Sequence, residues 1–268
     1  MEIRTAHGTL AYDDSGRGPL VVCLPGMGDN RFTYRHLVPR LVAAGHRVVT
    51  MDNRGQGESS AHWPDYSPEA IGADLLTLLH HLDAGPATLV TSSYTGATAI
   101  WAAVEEPAAF AGLVLIGPFA RQMPTPTVVM RLAMAAAGRF RPVWLAYWSS
   151  LFKTRRPADF ARARAILSGQ LAEPGRMAAL RAMFGADVAG CERRSGEVRT
   201  PARVVMGTRD PDFPDPAGEA RLIAERLHGD VVMIEGAGHY PQAEFPDETA
   251  GAVLGLVHRT RGALGRAH

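Results

Sequence analysis

The sequence predicts an α/β protein built on a mostly parallel sheet with helices on both faces. Short apolar runs alternate with helical periodicity before residue 118 and again after residue 200, and this alternation is typical of parallel βαβ units. Residues 20–24 are apolar throughout, as expected of a strand buried on both faces. Within residues 86–101 a strand, a sharp polar turn and a small-residue helix follow one another.

Eight strands and their connecting helices can be placed in chain order. The predicted strands are two short ones within residues 1–14, then 20–24, 46–51, a run centred on 89–90, 111–116, 202–206 and 231–234. Helices are predicted at residues 32–44, ended by Gly45, at 68–82, directly after residue 93, at 216–227 and from residue 247. Ser67 and Pro68 give the second helix an N-cap and a proline at its first position.

Residues 118–200 interrupt this alternation. They show only helical patterns, at residues 128–137, 142–152, 157–168 and 175–184. They also carry fourteen Arg or Lys against five Asp or Glu. Solvated helix faces account for this charge most simply, and a basic insert that favours anionic substrates is the alternative.

Bulk composition excludes several classes of protein. With 268 residues and 46% hydrophobic residues, the chain can bury one sizeable core. A net charge of +1 predicts no general attraction to nucleic acid or to a membrane. Cys23 and Cys191 are far apart and predict thiols, not a disulfide scaffold. The first residues contain no apolar signal core, so we expect a cytoplasmic protein.

Three polar segments follow predicted strands and form a candidate site. Ser93 is at the apex of the turn after the strand at 89–90, and Asp210 and His239 follow the strands at 202–206 and 231–234. Because the carboxyl ends of parallel strands meet at one edge of a sheet, we expect these side chains to converge. A serine on such a turn can attack a carbonyl, and the backbone N–H of Tyr94 can stabilise the resulting oxyanion.

The order Ser, Asp, His resembles that of the α/β-hydrolase fold family over nearly the whole chain. The segments that carry the resemblance are residues 24–28, 52–59, the turn at Ser93, 207–210 and 236–244. More narrowly, the chain is similar to small bacterial esterase or lipase-like hydrolases. The resemblance implies an α/β-hydrolase core at 1–117 and 201–268, with residues 118–200 as a helical cap.

The resemblance also assigns roles to the site residues. Ser93 is the expected nucleophile, His239 its base and Asp210 the acid that orients His239. The backbone N–H of Met27 is the implied second donor of the oxyanion hole. From the sequence, Asp212 and Asp215 compete with Asp210, and Asp215 precedes a proline and is the better N-cap candidate.

The chain departs from the family pattern at three positions. The elbow usually has glycine where this chain has Thr91 and Thr95, and Pro25 replaces a histidine. Either small shifts rebuild the turn around the two β-branched side chains, or the site is slower or altered. Asp52 and Arg54, in the loop after the strand at 46–51, are interpreted as structural residues.

A cap must present apolar surface to the acyl group of a substrate. We therefore expect a small, hydrophobic or aromatic substrate, with Trp144, Tyr147 and Trp148 as candidate binding residues. The sequence has no glycine-rich dinucleotide fingerprint and no zinc-ligand spacing, which predicts neither a cofactor nor a metal.

Three functions fit these residues. The first is hydrolysis of an ester, lactone or thioester through an acyl-enzyme. The second keeps the acyl-enzyme but passes it to an alcohol or amine, as in an acyltransferase or cyclase. The third is a ligand-binding protein with weak turnover, which only the missing elbow glycines favour.

Overall fold

The computed structural model describes residues 1–264 except 124 and 126, with the backbone alone for 261–264. The predicted mostly parallel, eight-stranded sheet is confirmed. Its strands are β1 (Glu2–Arg4), β2 (Thr9–Ser15), β3 (Leu20–Leu24), β4 (Arg47–Met51), β5 (Ala87–Ser92), β6 (Phe110–Ile116), β7 (Ala202–Gly207) and β8 (Asp230–Ile234).

The sheet has the order β1-β2-β4-β3-β5-β6-β7-β8. β1 and β2 pair antiparallel to their neighbours, and the six strands from β4 to β8 in this order are parallel. In the middle of the sheet Val22 pairs with Val49 on one side and with Leu89 on the other. The reversal of strand order between β3 and β5 places the ends of these strands at the switch point where α/β sites form.

Helices connect the strands and cover both faces. They are α1 (Val38–Ala43), α2 (Pro68–Leu82), α3 (Thr95–Glu105), α4 (Val128–Arg139), α5 (Arg141–Ser150), α6 (Phe160–Leu171), α7 (Arg176–Phe184), α8 (Ala189–Arg193), α9 (Pro216–Arg226), α10 (Pro241–Glu244) and α11 (Pro246–Leu264). The short helices α8 and α10 were not predicted from the sequence. Neither has a side-chain N-cap hydrogen bond that would mark its start.

Helix starts follow the capping chemistry of the sequence. The Ser67 hydroxyl accepts a hydrogen bond from the N–H of Ala70, and the Asp215 carboxylate accepts one from Gly218. The single helix predicted at 32–44 is wrong. A 3₁₀ turn at Arg31–Tyr34 precedes α1, which starts at Val38. Pro39 lacks the N–H that would continue the turn, and its ring clashes with the carbonyl of residue 35 in a continuous helix.

The core divides into a layer on each face of the sheet. Along β3, Leu20, Val22 and Leu24 pack into one apolar cluster, while Val21 and Cys23 pack into the other. All five side chains are buried. A strand sandwiched between helix layers must be apolar on both faces, and this explains the unbroken apolar run.

Helices α4 to α7, between β6 and β7, form a third apolar cluster with part of α10. We call residues 128–193 the helical segment. Trp144, Trp148 and Leu167 are at its centre, each at most 4% exposed. Tyr240, next to His239, belongs to the same cluster. The helical segment therefore packs directly on the loop that carries His239.

Both cysteine side chains are buried and free, Cys23 within β3 and Cys191 within α8. In the described part of the chain, no helix has the length and apolar character needed to cross a bilayer.

Candidate active site

Four neighbouring parallel strands end at one edge of the sheet. Ser93 follows β5, Gly117 follows β6, Asp210 follows β7 by three residues, and His239 follows β8 by five. The strands are hydrogen-bonded in this order, so their carboxyl ends lie side by side. The topology thus brings the ends of four strands, and the residues that follow them, to one place.

Ser93 has a backbone conformation that is rare for a residue with a side chain. Its φ is 58°, in the left-handed region, and such a conformation costs on the order of 1–3 kcal/mol unless its surroundings hold it. Here the surroundings do so. The Ser93 N–H donates to the carbonyl of Ile116 over 2.8 Å, and its carbonyl accepts from Gly96 and Phe119 over 2.9 and 3.0 Å. The turn is fixed by both β6 and α3.

The two elbow threonines are buried but differ in their hydrogen bonds. The Thr95 hydroxyl accepts from the N–H of Ser92 over 3.1 Å and lies 2.9 Å from the carbonyl of Ser92. The Thr91 hydroxyl is buried without a partner among the described residues. Thr95 therefore replaces the missing glycine with hydrogen bonds that brace the turn, whereas Thr91 gives no such compensation.

Glycines elsewhere supply the close approach that the elbow needs. A Cβ atom on Gly26 would lie 2.9 Å from the Cβ of Ser93, and one on Gly96 would lie 2.6 Å from the Cβ of Pro118. Real Cβ atoms do not approach other atoms so closely, so side chains at either position would push the elbow aside. The loop after β3 and the first turn of α3 fit around Ser93 because of these two glycines.

His239 and Asp210 form a buried hydrogen-bonded pair. His239 Nδ1 and Asp210 Oδ2 are 2.7 Å apart, and the two side chains are 2% and 0% exposed. A carboxylate only accepts, so Nδ1 carries the hydrogen of this bond, and when the ring is neutral Nε2 is the nitrogen without a proton. A Cβ on Gly117 would lie 3.1 Å from His239 Cε1. The absence of a side chain there lets the ring sit against the end of β6.

Burial and charge act on His239 in opposite directions. Burial lowers the pKa of His239, but the carboxylates of Asp210 and Asp212 outweigh it and raise the pKa to about 9. A weaker contribution in the same direction comes from Asp29. The site therefore favours the protonated imidazole, the form that develops when a base accepts a proton.

Ser93 and His239 adjoin the same short segment after β6. The N–H of Phe119 binds the carbonyl of Ser93, and the Phe119 ring packs edge-on against the His239 ring with 6.0 Å between centroids. Within the described residues the Ser93 hydroxyl makes no hydrogen bond, including none to His239. Such contacts are often long without substrate and tighten when it binds.

Two backbone N–H groups next to the elbow have no hydrogen-bond partner among the described residues. Neither Met27 nor Tyr94 donates its N–H to another group of the described residues. Tyr94 directly precedes α3, and Met27 follows Gly26, whose position lies against Ser93. A free N–H at a helix start is a suitable partner for an anion. The two predicted oxyanion donors are therefore available.

The three aromatic residues predicted for substrate binding have different surroundings. The Trp144 indole donates to the carbonyl of Gly28 over 2.9 Å, so it packs on the turn that contains Met27. Trp148 is 4% exposed and stacks on Phe160 with 5.2 Å between centroids. Tyr147 is 37% exposed and its hydroxyl donates to Asp212. Of these three residues, only Tyr147 both contacts the turn that carries Asp210 and remains exposed to solvent.

A small cavity lies between the core and the helical segment. Its lining includes Gly28, Asp29, Gln56, Leu180 and Arg176. Ser93 and His239 do not line it. The cavity adjoins the back of the turn at Met27 and is not the space in which an acyl group would meet the Ser93 hydroxyl.

Asp52 and Arg54 have structural partners, as the sequence indicates. The Asp52 carboxylate accepts from the N–H groups of Arg31 and Glu58 over 2.7 and 2.9 Å. Arg54 forms two hydrogen bonds to Asp74, at 2.7 and 2.8 Å. These contacts fix the loop after β4.

Sequence reasoning missed the role of Glu244. This carboxylate is 2% exposed and accepts from the N–H groups of Gly238, Lys153 and Thr154 over 2.7, 3.0 and 3.2 Å. It therefore connects the His239 loop to the segment that follows α5. Its place six residues after Gly238 was the only available signal, and the sequence does not show that the 153–154 backbone comes near.

Asp212 also lies in the site. Its Oδ2 is 3.6 Å from His239 Nδ1, and possible ligand atoms of Asp210, Asp212 and His239 all lie within 4.8 Å of one another. Asp210 already occupies the Nδ1 hydrogen of His239, so the arrangement is that of a hydrogen-bonded acid–base group. The expectation of no metal stays a prediction.

Residues 21–252 match the Alpha/beta hydrolase family. The chain belongs to this family. It is 24% identical to the Oryza sativa subsp. japonica protein named "Probable esterase D14L", over 91% of this chain and 93% of that protein. It is 40% identical to BpoC of Mycobacterium tuberculosis, named as a non-heme bromoperoxidase, but the match spans only 30% of this chain and 31% of BpoC.

Solved structures show the same fold. A thermophilic esterase from Thermogutta terrifontis superposes with a TM-score of 0.81 at 23% identity, covering 97% of this chain and 99% of the esterase. A bromoperoxidase from Bacillus anthracis superposes with a TM-score of 0.80 at 22% identity, covering 94% and 96% of the two chains. At these identities the likeness establishes the fold, and the reaction must be argued from the site.

Proposed function

We propose that this protein is a serine hydrolase that cleaves a carboxylic ester, lactone or thioester through an acyl-enzyme. Ser93 is the nucleophile, His239 the base and Asp210 the acid that orients the imidazole. The observation that carries the proposal is the buried 2.7 Å pair of His239 and Asp210 at the same sheet edge as the left-handed turn of Ser93. A serine on a strained turn beside an acid-oriented imidazole is the arrangement that acyl transfer requires.

The reaction begins with attack of Ser93 Oγ on the substrate carbonyl. A C–O bond forms, the hydroxyl proton moves to His239 Nε2, and the carbonyl oxygen becomes an oxyanion. The free N–H groups of Met27 and Tyr94 stabilise that oxyanion. The buried carboxylate of Asp210 stabilises the imidazolium.

The tetrahedral intermediate then loses the leaving group. The proton on His239 passes to the departing alkoxide or thiolate, and the acyl group remains on Ser93. Water attacks the acyl-enzyme, His239 accepts one of its protons, and the second intermediate releases the acid and returns the proton to Ser93. No step needs a redox group.

Residues 118–200 act as the cap of this site in our proposal. The support is that α5 contacts the loops of the site through Trp144 at Gly28 and Tyr147 at Asp212. The aromatic content of α5 favours a small, hydrophobic substrate whose acyl group packs between this helix and Ser93.

The test is hydrolysis of a series of p-nitrophenyl esters of increasing acyl length by wild type and Ser93→Ala. We expect the substitution to lower kcat/KM by roughly a thousandfold or more. The matched control is Ser92→Ala, which removes the neighbouring buried hydroxyl and should retain most of the activity. Added alcohol or amine acceptors, with analysis of the acyl product, separate hydrolysis from acyl transfer.

The proposal fails if Ser93→Ala hydrolyses the esters as fast as wild type. It also fails if folded wild type neither hydrolyses any ester in the series nor forms an acyl adduct. The second result favours the ligand-binding alternative.

A further inference from the structure

Two carboxylates from one turn face the same nitrogen of His239. Asp210 Oδ2 is 2.7 Å from Nδ1, and Asp212 Oδ2 is 3.6 Å from it. The backbone N–H of Asp212 donates to Asp210 Oδ1 over 3.0 Å, which fixes the Asp210 carboxylate relative to the Asp212 backbone. The Asp212 side chain is 11% exposed. The orienting role needs only one carboxylate, so the second requires its own explanation.

The helical segment supplies the partner of Asp212. The Tyr147 hydroxyl is 2.9 Å from both carboxylate oxygens of Asp212, although the residues are far apart in sequence. Tyr147 lies three residues after Trp144 on α5, so one helix contacts both the turn at Met27 and the turn at Asp212. The same helix therefore adjoins the predicted oxyanion donor and the second carboxylate.

We infer that Asp212, held by the Tyr147 hydroxyl, is a positioning residue that stabilises the imidazolium of His239 during acyl transfer. The inference rests on the proposed function. Asp210 holds the ring by its hydrogen bond, and Asp212 adds a second negative charge close to the ring without competing for that hydrogen. Because Tyr147 is on α5, the position of the Asp212 carboxylate depends on how α5 packs against the site.

The charged groups around His239 and Asp212 support the role inferred for Asp212. The carboxylates of Asp210, Asp212 and Asp29 raise the pKa of His239. The groups with the largest effects on the pKa of Asp212 are His239, Asp210, Tyr147 and Lys153. Burial, joined by the charge of Asp210, raises the pKa of Asp212 above its ordinary value, while His239, the Tyr147 hydroxyl and Lys153 oppose that rise. Tyr147 thus favours the ionised form of Asp212, which is the form that attracts an imidazolium.

The test measures the protonation of His239 directly, by NMR titration of the ring in protein with labelled histidine. Asp212→Asn keeps the size of the side chain and removes its charge. We expect it to lower the midpoint of the His239 titration by about 1 pH unit, the effect of removing a nearby opposite charge. The matched control is Asp215→Asn, which changes the charge of the same turn by the same amount and still caps α9.

Tyr147→Phe tests the contribution of α5. Without the hydroxyl, Asp212 takes up a proton at higher pH than in wild type. The His239 titration of this variant should therefore resemble that of Asp212→Asn at low pH and that of wild type at high pH. In ester hydrolysis, the acid limb of kcat/KM should shift in the same direction as the NMR midpoint, with KM little changed. A residue that only supports the fold would change stability without moving either midpoint.

The outcomes separate this inference from the proposed function. If turnover depends on Ser93 but Asp212→Asn titrates like Asp215→Asn, the role of Asp212 is overturned and the proposed function stands. If the His239 midpoint shifts but turnover does not depend on Ser93, the proposed function fails and the role of Asp212 in the reaction fails with it. A shift together with Ser93-dependent turnover supports both.

Discussion

At the scale of single residues, the elbow shows how two β-branched side chains occupy positions that usually carry glycine. Thr95→Val removes the oxygen that pairs with the N–H of Ser92. It should lower the free energy of unfolding by about 1–3 kcal/mol, since a buried donor loses its partner. Thr91→Val removes an oxygen that has no partner among the described residues and should be neutral or stabilising. Urea unfolding of both variants checks this, and equal losses would contradict the described hydrogen bonds.

The pH dependence of stability follows from His239. Its pKa is raised from the ordinary 6.5 to about 9 in the folded chain, so folding favours the protonated ring. This stabilisation is fully present below the unfolded pKa and is lost as pH rises through the folded value. The free energy of unfolding of wild type minus that of His239→Gln should therefore decrease between about pH 5.5 and about pH 9.5. A difference that increases over this range would contradict the raised pKa.

At the scale of elements, some apolar side chains of the helical segment are buried and stabilise it, whereas others are exposed and contribute little. Leu132 on α4 is 67% exposed, whereas Leu167 on α6 is 2% exposed. Leu167→Ala should cost roughly 2–5 kcal/mol because it leaves a cavity, and Leu132→Ala should change stability by less than about 0.5 kcal/mol. Thermal and urea unfolding test the pair. Similar losses would show that α4 packs more closely than described.

Most elements could be predicted because local signals and long-range packing agree. Residues 20–24 form β3 as predicted, since their apolar run suits a strand buried on both faces. The prediction of one helix at 32–44 was wrong because the apolar periodicity of this stretch continues across Pro39, whereas a proline inside a helix removes a backbone hydrogen bond. Helix α10 was missed because its four residues are too few for a periodic signal.

At the scale of the whole molecule, the two buried thiols report on different parts of the chain. Cys23 is in the central strand β3, and Cys191 is in α8 at the end of the helical segment. Neither should react rapidly with a thiol reagent in the folded protein, because burial raises the pKa of both. Rapid labelling of Cys23 in native buffer would contradict the described core.

Strand order predicted the residues of the site that follow strands, but not the contacts that other segments make with them. Ser93, Asp210 and His239 each follow a strand, so a parallel sheet predicts that they converge. The contacts of Tyr147 with Asp212 and of Glu244 with Lys153 join segments whose separation in sequence carries no periodic signal. They depend on how the helical segment packs on the sheet edge, which local patterns do not determine.

The most direct test of the central claim is the site at which a fluorophosphonate probe becomes attached. The account predicts one covalent adduct per chain, located by tandem mass spectrometry on the hydroxyl of Ser93, and its loss in Ser93→Ala. It further predicts much slower labelling in His239→Gln, since the hydroxyl then lacks its base. An adduct on another residue, or none on folded protein, would contradict the claim that this hydroxyl is the nucleophile.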